Sequence, residues 1–312
     1  MTMPLPFPPI LKVGVFPERI DQKLHQTFQL FEPGDLDGDP ALCERIEGIV
    51  TRSNYRIAEA LIDRLPRLRI IATNGVGYDG IPVEYAQKKG VVVTNTPDVL
   101  NEAVAELALG LLLSLLRHIP AADAFVKSGA WQTAPFPLTT TLAGKRVGIV
   151  GLGRIGREIA QRLLPFRVEI AYFGRTRQDL TWDFYDDVEK LAADTDILIV
   201  CCPGGPATHH LINAAVLRAL GPSGVLVNVA RGSVVDEAQL CAALAGQVIA
   251  GAALDVFNEE PLGDSPLRGF SNVVLAPHMG SATNETRLRM ADLAIDNLSG
   301  FFKTGQALTP VG

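Results

Sequence analysis

Three stretches of the chain place a chemically capable side chain just after a short apolar run. They are NVARGSVVDE (residues 228–237) with Arg231, ALDVFNEEPL (253–262) with Asp255 and Glu260, and LAPHMGSAT (275–283) with His278 and Gly280. An imidazole changes charge near neutral pH, a neighbouring carboxylate biases that change, and a guanidinium grips oxyanions. Singly, each has a plain reading: a loop arginine is usually a surface charge, and an acid before proline is usually a turn residue. One histidine proves nothing. Arg, Glu and His at three successive strand ends, behind a glycine loop, are harder to dismiss, because an open α/β sheet places its chemistry beyond the carboxyl ends of its strands.

The glycine loop is VGIVGLGRIG. Gly151, Gly153 and Gly156, interleaved with Leu152, Arg154 and Ile155, follow a buried strand and open a helical pattern. The first glycine permits a tight turn, the second lets the backbone approach a pyrophosphate, and the third lets helix and strand pack closely. The helix start then offers free N–H groups to the anion. The next strand ends in AYFGRTRQ (171–178). A carboxylate there would favour the free ribose hydroxyls of NAD. Gly174 removes it, while Arg175, Thr176 and Arg177 supply donors that suit the 2′-phosphate of NADP. NADPH is the expected cofactor, preferred over NADH.

These motifs sit among Val- and Ile-rich runs that alternate with segments of helical period, the pattern of parallel sheets wrapped in helices. The first strands are KVGVF (12–16), GIVT (48–51), RIIATN (69–74) and VVVTN (91–95). The second group is KRVGIVG (145–151), VEIAYF (168–173), DILIVC (196–201), GVLVNV (224–229), VIAGAAL (248–254) and NVVLA (272–276). A long apolar helix opened by Thr96-Pro97 separates the groups and runs to about Arg117. An irregular arm (128–144) follows it, and a final helix is expected over 284–302. The fold class is therefore α/β with two doubly wound parallel-sheet domains. The first comprises 1–97 plus 286–312, because the last helix returns to it, and the second comprises 98–285.

With 312 residues, 47% hydrophobic and 20% charged, a sizeable core is possible. A net charge of −6 argues against nucleic acid as the partner. Four cysteines without C-x-x-C spacing fit a reducing compartment, and no Cys/His cluster suggests a metal. The start, MTMPLPFPPI, lacks the basic and apolar segments of a leader, and LALGLLLSLL (107–116) is too short to span a bilayer. A cytoplasmic location is expected, without membrane or nucleic-acid partners.

The order GLGRIG, NVARG, DVFNEEP and PHMGS, with NGVGYD (74–79), NTPD (95–98) and GAW (129–131), resembles the D-isomer-specific 2-hydroxyacid dehydrogenases over essentially the whole chain. Within that family the chain is most similar to the NADPH-dependent glyoxylate, hydroxypyruvate and hydroxyphenylpyruvate reductases. The resemblance implies a Rossmann-type NADP-binding domain and a flavodoxin-like substrate domain. It implies reduction of a small 2-oxo acid by hydride transfer, with glyoxylate giving glycolate and hydroxypyruvate giving D-glycerate. His278 would be the general acid, Glu260 would orient and charge its ring, and Arg231 would polarise the carbonyl and hold the carboxylate. The N–H groups of Val76 and Gly77 would also bind the carboxylate. Asp255 would fix the nicotinamide carboxamide, Val229 and Ala230 would pass close to the ring, and Pro203, Thr208 and Gly280 join the cofactor contacts. A homodimer through the nucleotide domain is implied, with Trp131 near an active-site entrance. Ser53, Asn54 and Leu100 line the pocket by position alone. Two other readings stand beside this one: an aromatic 2-oxo acid (hydroxyphenylpyruvate) reductase, and a nucleotide-sensing corepressor.

Overall fold

Runs of β-branched residues form two fully parallel sheets in the computed structural model, which describes residues 7–312. Most of the proline-rich start lies outside the described residues. The first sheet contains β1 (Ile10–Val13), β2 (Leu30–Phe31), β3 (Gly48–Arg52), β4 (Ile70–Asn74) and β5 (Val92–Thr94), in the order β2-β1-β3-β4-β5. Both faces are covered, so β1 and β4 are buried at every position rather than alternating. One face packs on helices Glu18–Thr27 and Asn284–Thr304 through Ile20, Leu24, Leu298 and Phe301. The other buries Leu11, Ile49, Ile71 and Val93.

The second sheet contains β6 (Arg146–Val150), β7 (Glu169–Phe173), β8 (Asp183–Tyr185), β9 (Ile197–Val200), β10 (Val225–Asn228), β11 (Gly251–Leu254) and β12 (Val273–Leu275). Its order is β12-β11-β10-β9-β6-β7-β8. Strand order reverses between β6 and β9, which makes that crevice the topological switch point where such sheets bind ligands. The register pairs Val150 with both Phe173 and Val200, so these strands end level with one another.

The chain divides into two compact units: residues up to Leu100 with Thr283–Gly312, and Asn101–Ala282. The described architecture is thus two doubly wound α/β domains, the second of Rossmann type.

Several elements differ from their sequence expectation. β1 lies at 10–13 instead of 12–16, because Gly14, at φ +103°, turns the chain out of the pleat. β2 and β8, of two and three residues, are too short to carry a period. β11 starts at Gly251, not Val248. The apolar helix begins at Asn101 rather than at Thr96-Pro97. Asp98 adopts φ +69° and Val99 N–H bonds back to Pro97 O at 2.9 Å, so this segment is a turn. The helix ends at Leu116, and left-handed His118 starts a separate helix, Ile119–Lys127. Among the described residues no single helix is long and apolar enough to cross a membrane.

Candidate active site

The glycine loop joins β6 to helix Arg154–Leu163, and its three glycines have different physical reasons to be there. Gly151 sits at φ +99°, and a Cβ on it would lie 2.7 Å from the Cys202 Cα. A Cβ on Gly156 would lie 2.3 Å from Gly151 O. The chain itself requires both. Gly153 is different: a Cβ there meets nothing within 4 Å, and φ is −82°. Only an external group approaching closely would forbid a side chain at that position. No side chain caps the helix start, so its N–H groups face outward beside this gap. The loop therefore fits a dinucleotide pyrophosphate. Leu152 and Gly156 are buried, Ile155 is half-buried, and Arg154 is exposed.

Gly174, at the end of β7, has no positive φ, and a Cβ on it would meet only Thr176 O, at 3.8 Å. Neither backbone nor neighbours demand glycine, so its effect is to leave space. Arg175, Thr176 and Arg177 are all exposed around that space. Beyond β9, Thr208 Oγ1 donates to Pro203 O at 2.7 Å, closing the loop on itself. Val229 and Ala230, beyond β10, are buried.

Arg231 follows β10, and Asn228 shapes its loop: Asn228 Oδ1 accepts Ala230 N–H at 3.0 Å, and Nδ2 donates to Arg231 O at 3.1 Å. Arg231 Nη1 donates to Ala230 O at 2.7 Å. A Cβ on Gly232 would fall 1.9 Å from the Phe257 carbonyl carbon, so this loop lies directly on the one that carries Glu260.

His278, beyond β12, is held by two acids. Three successive N–H groups end on Asp255: His278 N to its main-chain O at 2.8 Å, Met279 N to Oδ1 at 2.7 Å, and Gly280 N to Oδ2 at 2.8 Å. This grip supports His278 in the left-handed region, at φ +50°. Asp255 is only 2% exposed, and burial pushes its carboxyl above the usual range, against the two side-chain-directed N–H bonds. Among the described residues both oxygens serve the His278 loop, and each keeps a lone pair for a further donor such as the nicotinamide carboxamide that the family resemblance implies. The Gly280 Cα is close-packed as well, since a Cβ would lie 3.2 Å from Asp255 Oδ2 and 3.3 Å from Val104.

The imidazole meets the second acid. His278 Nδ1 lies 2.5 Å from Glu260 Oε2, while Glu260 Oε1 accepts Phe257 N–H at 3.1 Å. A carboxylate can only accept, so Nδ1 carries the proton. Burial raises the Glu260 carboxyl, but the hydrogen bond and charge of His278, the Phe257 N–H and the Arg231 charge outweigh it, and the group sits below its ordinary value. Glu260 is therefore ionised at neutral pH.

The second unit thus brings Arg231, Asp255, Glu260 and His278 onto adjoining loops. Val76 and Gly77 belong to the first unit, where Asn95 Nδ2 donates to Val76 O at 2.9 Å and Ser53 packs against Gly75. Leu100 is buried and Trp131 is exposed, on the short helix Ala130–Gln132. Asn228, and Gln178 whose side-chain NH2 donates to Leu152 O at 2.8 Å, carry no sequence signal. No motif marks a lone amide, and their importance rests on which carbonyls the fold brings to them.

The sequence of residues 109–280 matches the family model described as D-isomer specific 2-hydroxyacid dehydrogenase, NAD binding domain. A hydroxyphenylpyruvate reductase from Plectranthus scutellarioides is 46% identical over 297 residues, covering 94% of this chain and 95% of that protein. A glyoxylate/hydroxypyruvate reductase A from Arabidopsis thaliana is 46% identical over 267 residues, covering 85% of each. Among solved structures, an NADPH-dependent glyoxylate/hydroxypyruvate reductase from Sinorhizobium meliloti, in complex with NADP and malonate, superposes with a TM-score of 0.92 at 46% identity, covering 98% of this chain and 97% of that one. With more than half the chain under the family model and near-complete coverage by these relatives, the protein belongs to the D-isomer specific 2-hydroxyacid dehydrogenase family.

Proposed function

We propose that this chain reduces small 2-oxo acids, glyoxylate and hydroxypyruvate foremost, to glycolate and D-glycerate with NADPH. The observation that carries the reading is the His278–Glu260 pair, at 2.5 Å, in the same unit as the glycine loop and the exposed arginines. The unit Asn101–Ala282 takes the cofactor through Gly151–Gly156, Gly174–Arg177, Pro203, Thr208, Val229, Ala230, Asp255 and Gly280. When bound, reduced nicotinamide supplies the hydride.

The chain's own residues do the rest. His278 keeps Nδ1 on Glu260 and offers Nε2, as imidazolium, to protonate the substrate's carbonyl oxygen. Ionised Glu260 stabilises that imidazolium. Arg231 polarises the carbonyl and holds the substrate carboxylate. A homodimer, with Trp131 near an entrance, is part of the proposal. It is supported by the apolar surface of helix Ile119–Lys127, which has no buried residue, and by exposed Trp131 and Leu138. Four free cysteines support a cytoplasmic location.

A second reading, reduction of hydroxyphenylpyruvate, is favoured by the name of one 46% identical relative. Following NADPH absorbance with glyoxylate, hydroxypyruvate and hydroxyphenylpyruvate in parallel separates the two by kcat/KM. No turnover with any of them, together with retained cofactor binding, would favour a nucleotide-sensing role instead.

A further inference from the structure

The loop that carries Arg175 and Arg177 is fastened on its C-terminal side by Gln178, and all four polar groups of that residue are engaged. Its N–H donates to the Tyr172 hydroxyl at 2.8 Å, and its main-chain O accepts from the same hydroxyl at 3.4 Å. Its Nε2 donates to Leu152 O at 2.8 Å, and its Oε1 accepts from Arg157 Nη2. The amide orientation is set by chemistry, since a carbonyl can only accept and a guanidinium can only donate. Tyr172 is fully buried in β7, Leu152 lies between the first two glycines of the loop, and Arg157 belongs to the helix that follows it. The other end of the arginine loop is also tied, because Gly151 N–H bonds to Phe173 O at 3.0 Å. Four residues, half-buried Gly174 and exposed Arg175, Thr176 and Arg177, are therefore strung between two fixed points on the glycine loop.

We propose that Gln178 is a specificity-determining positioning residue, which holds Arg175 and Arg177 where the 2′-phosphate of NADP arrives. The inference rests on the NADPH reading above and deepens it. Two exposed arginines on a slack loop would lose backbone and side-chain freedom on gripping a phosphate, and that entropy cost would weaken the contact. With both loop ends fixed, much of the ordering precedes binding. The bond from Gln178 to Leu152 O also sets the distance between the arginines and the pyrophosphate-binding turn. NAD lacks the 2′-phosphate, so it gains nothing from the held arginines, and loosening Gln178 should affect the two cofactors unequally.

The test is equilibrium titration of NADP+, NAD+ and 2′,5′-ADP into wild type, Gln178→Met and Tyr172→Phe, with thermal melting of each protein. The methionine keeps the side-chain length without the amide, and the phenylalanine removes the hydroxyl that pins the Gln178 backbone. The expected result is roughly tenfold weaker NADP+ and 2′,5′-ADP binding in Gln178→Met, with NAD+ binding changed by less than about threefold and the same direction in Tyr172→Phe. Equal losses for NADP+ and NAD+, or a lower melting temperature with an unchanged affinity ratio, would reduce Gln178 to a structural prop and overturn the proposal. A wild type that binds NAD+ as tightly as NADP+ would overturn it in a different way, by removing the role of the arginines themselves.

Discussion

His278 reaches Glu260 through Nδ1, 2.5 Å from Oε2, and the remaining carboxylate oxygen is anchored on the Phe257 N–H. Glu260→Gln keeps the shape and the Phe257 anchor, but it removes the charge and turns an NH2 donor toward the protonated Nδ1. Reduction draws a proton from the ring, and the carboxylate orients that ring, so kcat for reduction should fall in Glu260→Gln while cofactor affinity holds. His278→Asn should cost turnover about a hundred- to ten-thousand-fold, with cofactor affinity little changed. The Glu260 carboxyl is held below its ordinary value. Its pairing thus adds stability above the usual carboxylate range, and that stability is lost as pH falls through the depressed value. The gap in melting temperature between wild type and Glu260→Gln should be open at neutral pH and close in acid. An unchanged kcat in Glu260→Gln would remove the catalytic pairing.

Asp255 should matter for a different reason, since it grips the backbone around His278 rather than the ring. Asp255→Asn turns one accepting oxygen into a donor that faces an N–H. Leaving a buried N–H unpaired costs about 1–3 kcal/mol, and the strained His278 backbone should relax. We expect a lower melting temperature together with a fall in kcat. Unchanged stability would mean that the grip is dispensable.

Gly153 and Gly156 should separate ligand from fold. Gly156→Ala puts a Cβ against Gly151 O and should destabilise the domain measurably in thermal melting. Gly153→Ala meets no atom of the chain, so its melting temperature should hold. Its cofactor affinity should fall on the order of tenfold, because the methyl occupies the approach of the pyrophosphate. Undiminished binding in Gly153→Ala would place the dinucleotide elsewhere.

The open space at Gly174 makes a cofactor swap structurally permissible. Gly174→Asp combined with Arg175→Ala should reverse the preference, with roughly tenfold lost in NADPH efficiency for each good contact removed. The carboxylate gains the ribose hydroxyls of NADH. Steady-state kinetics with both cofactors decides it, and a double variant that still prefers NADPH would count against the arginines.

The apolar helix Ile119–Lys127 should be covered by a second copy of the chain. Wild type should scatter light as a dimer at micromolar concentration, and Val126→Asp should dissociate it, because a buried unpaired charge is costly. A monomeric wild type would end the idea.

The sequence by itself determined the sheets, the glycine loop and the strand ends that carry Arg231, Glu260 and His278. Buried parallel strands are continuous apolar runs, and Gly151 and Gly156 are demanded by contacts within a few residues or across one adjacent strand. Local signals were enough for those. They failed where elements are short, as at β2 and β8, and where a turn overrode a good helix opener, as Asp98 did behind Pro97. Only the tertiary structure decided the partnerships. That Asp255 holds His278, that Glu260 meets the His278 ring, and that Gln178 reaches Leu152 are contacts between separate loops, 18 or more residues apart in sequence. A side chain's hydrogen-bond partner is whichever donor or acceptor the packed strands bring within about 3 Å, and no periodicity encodes that distance.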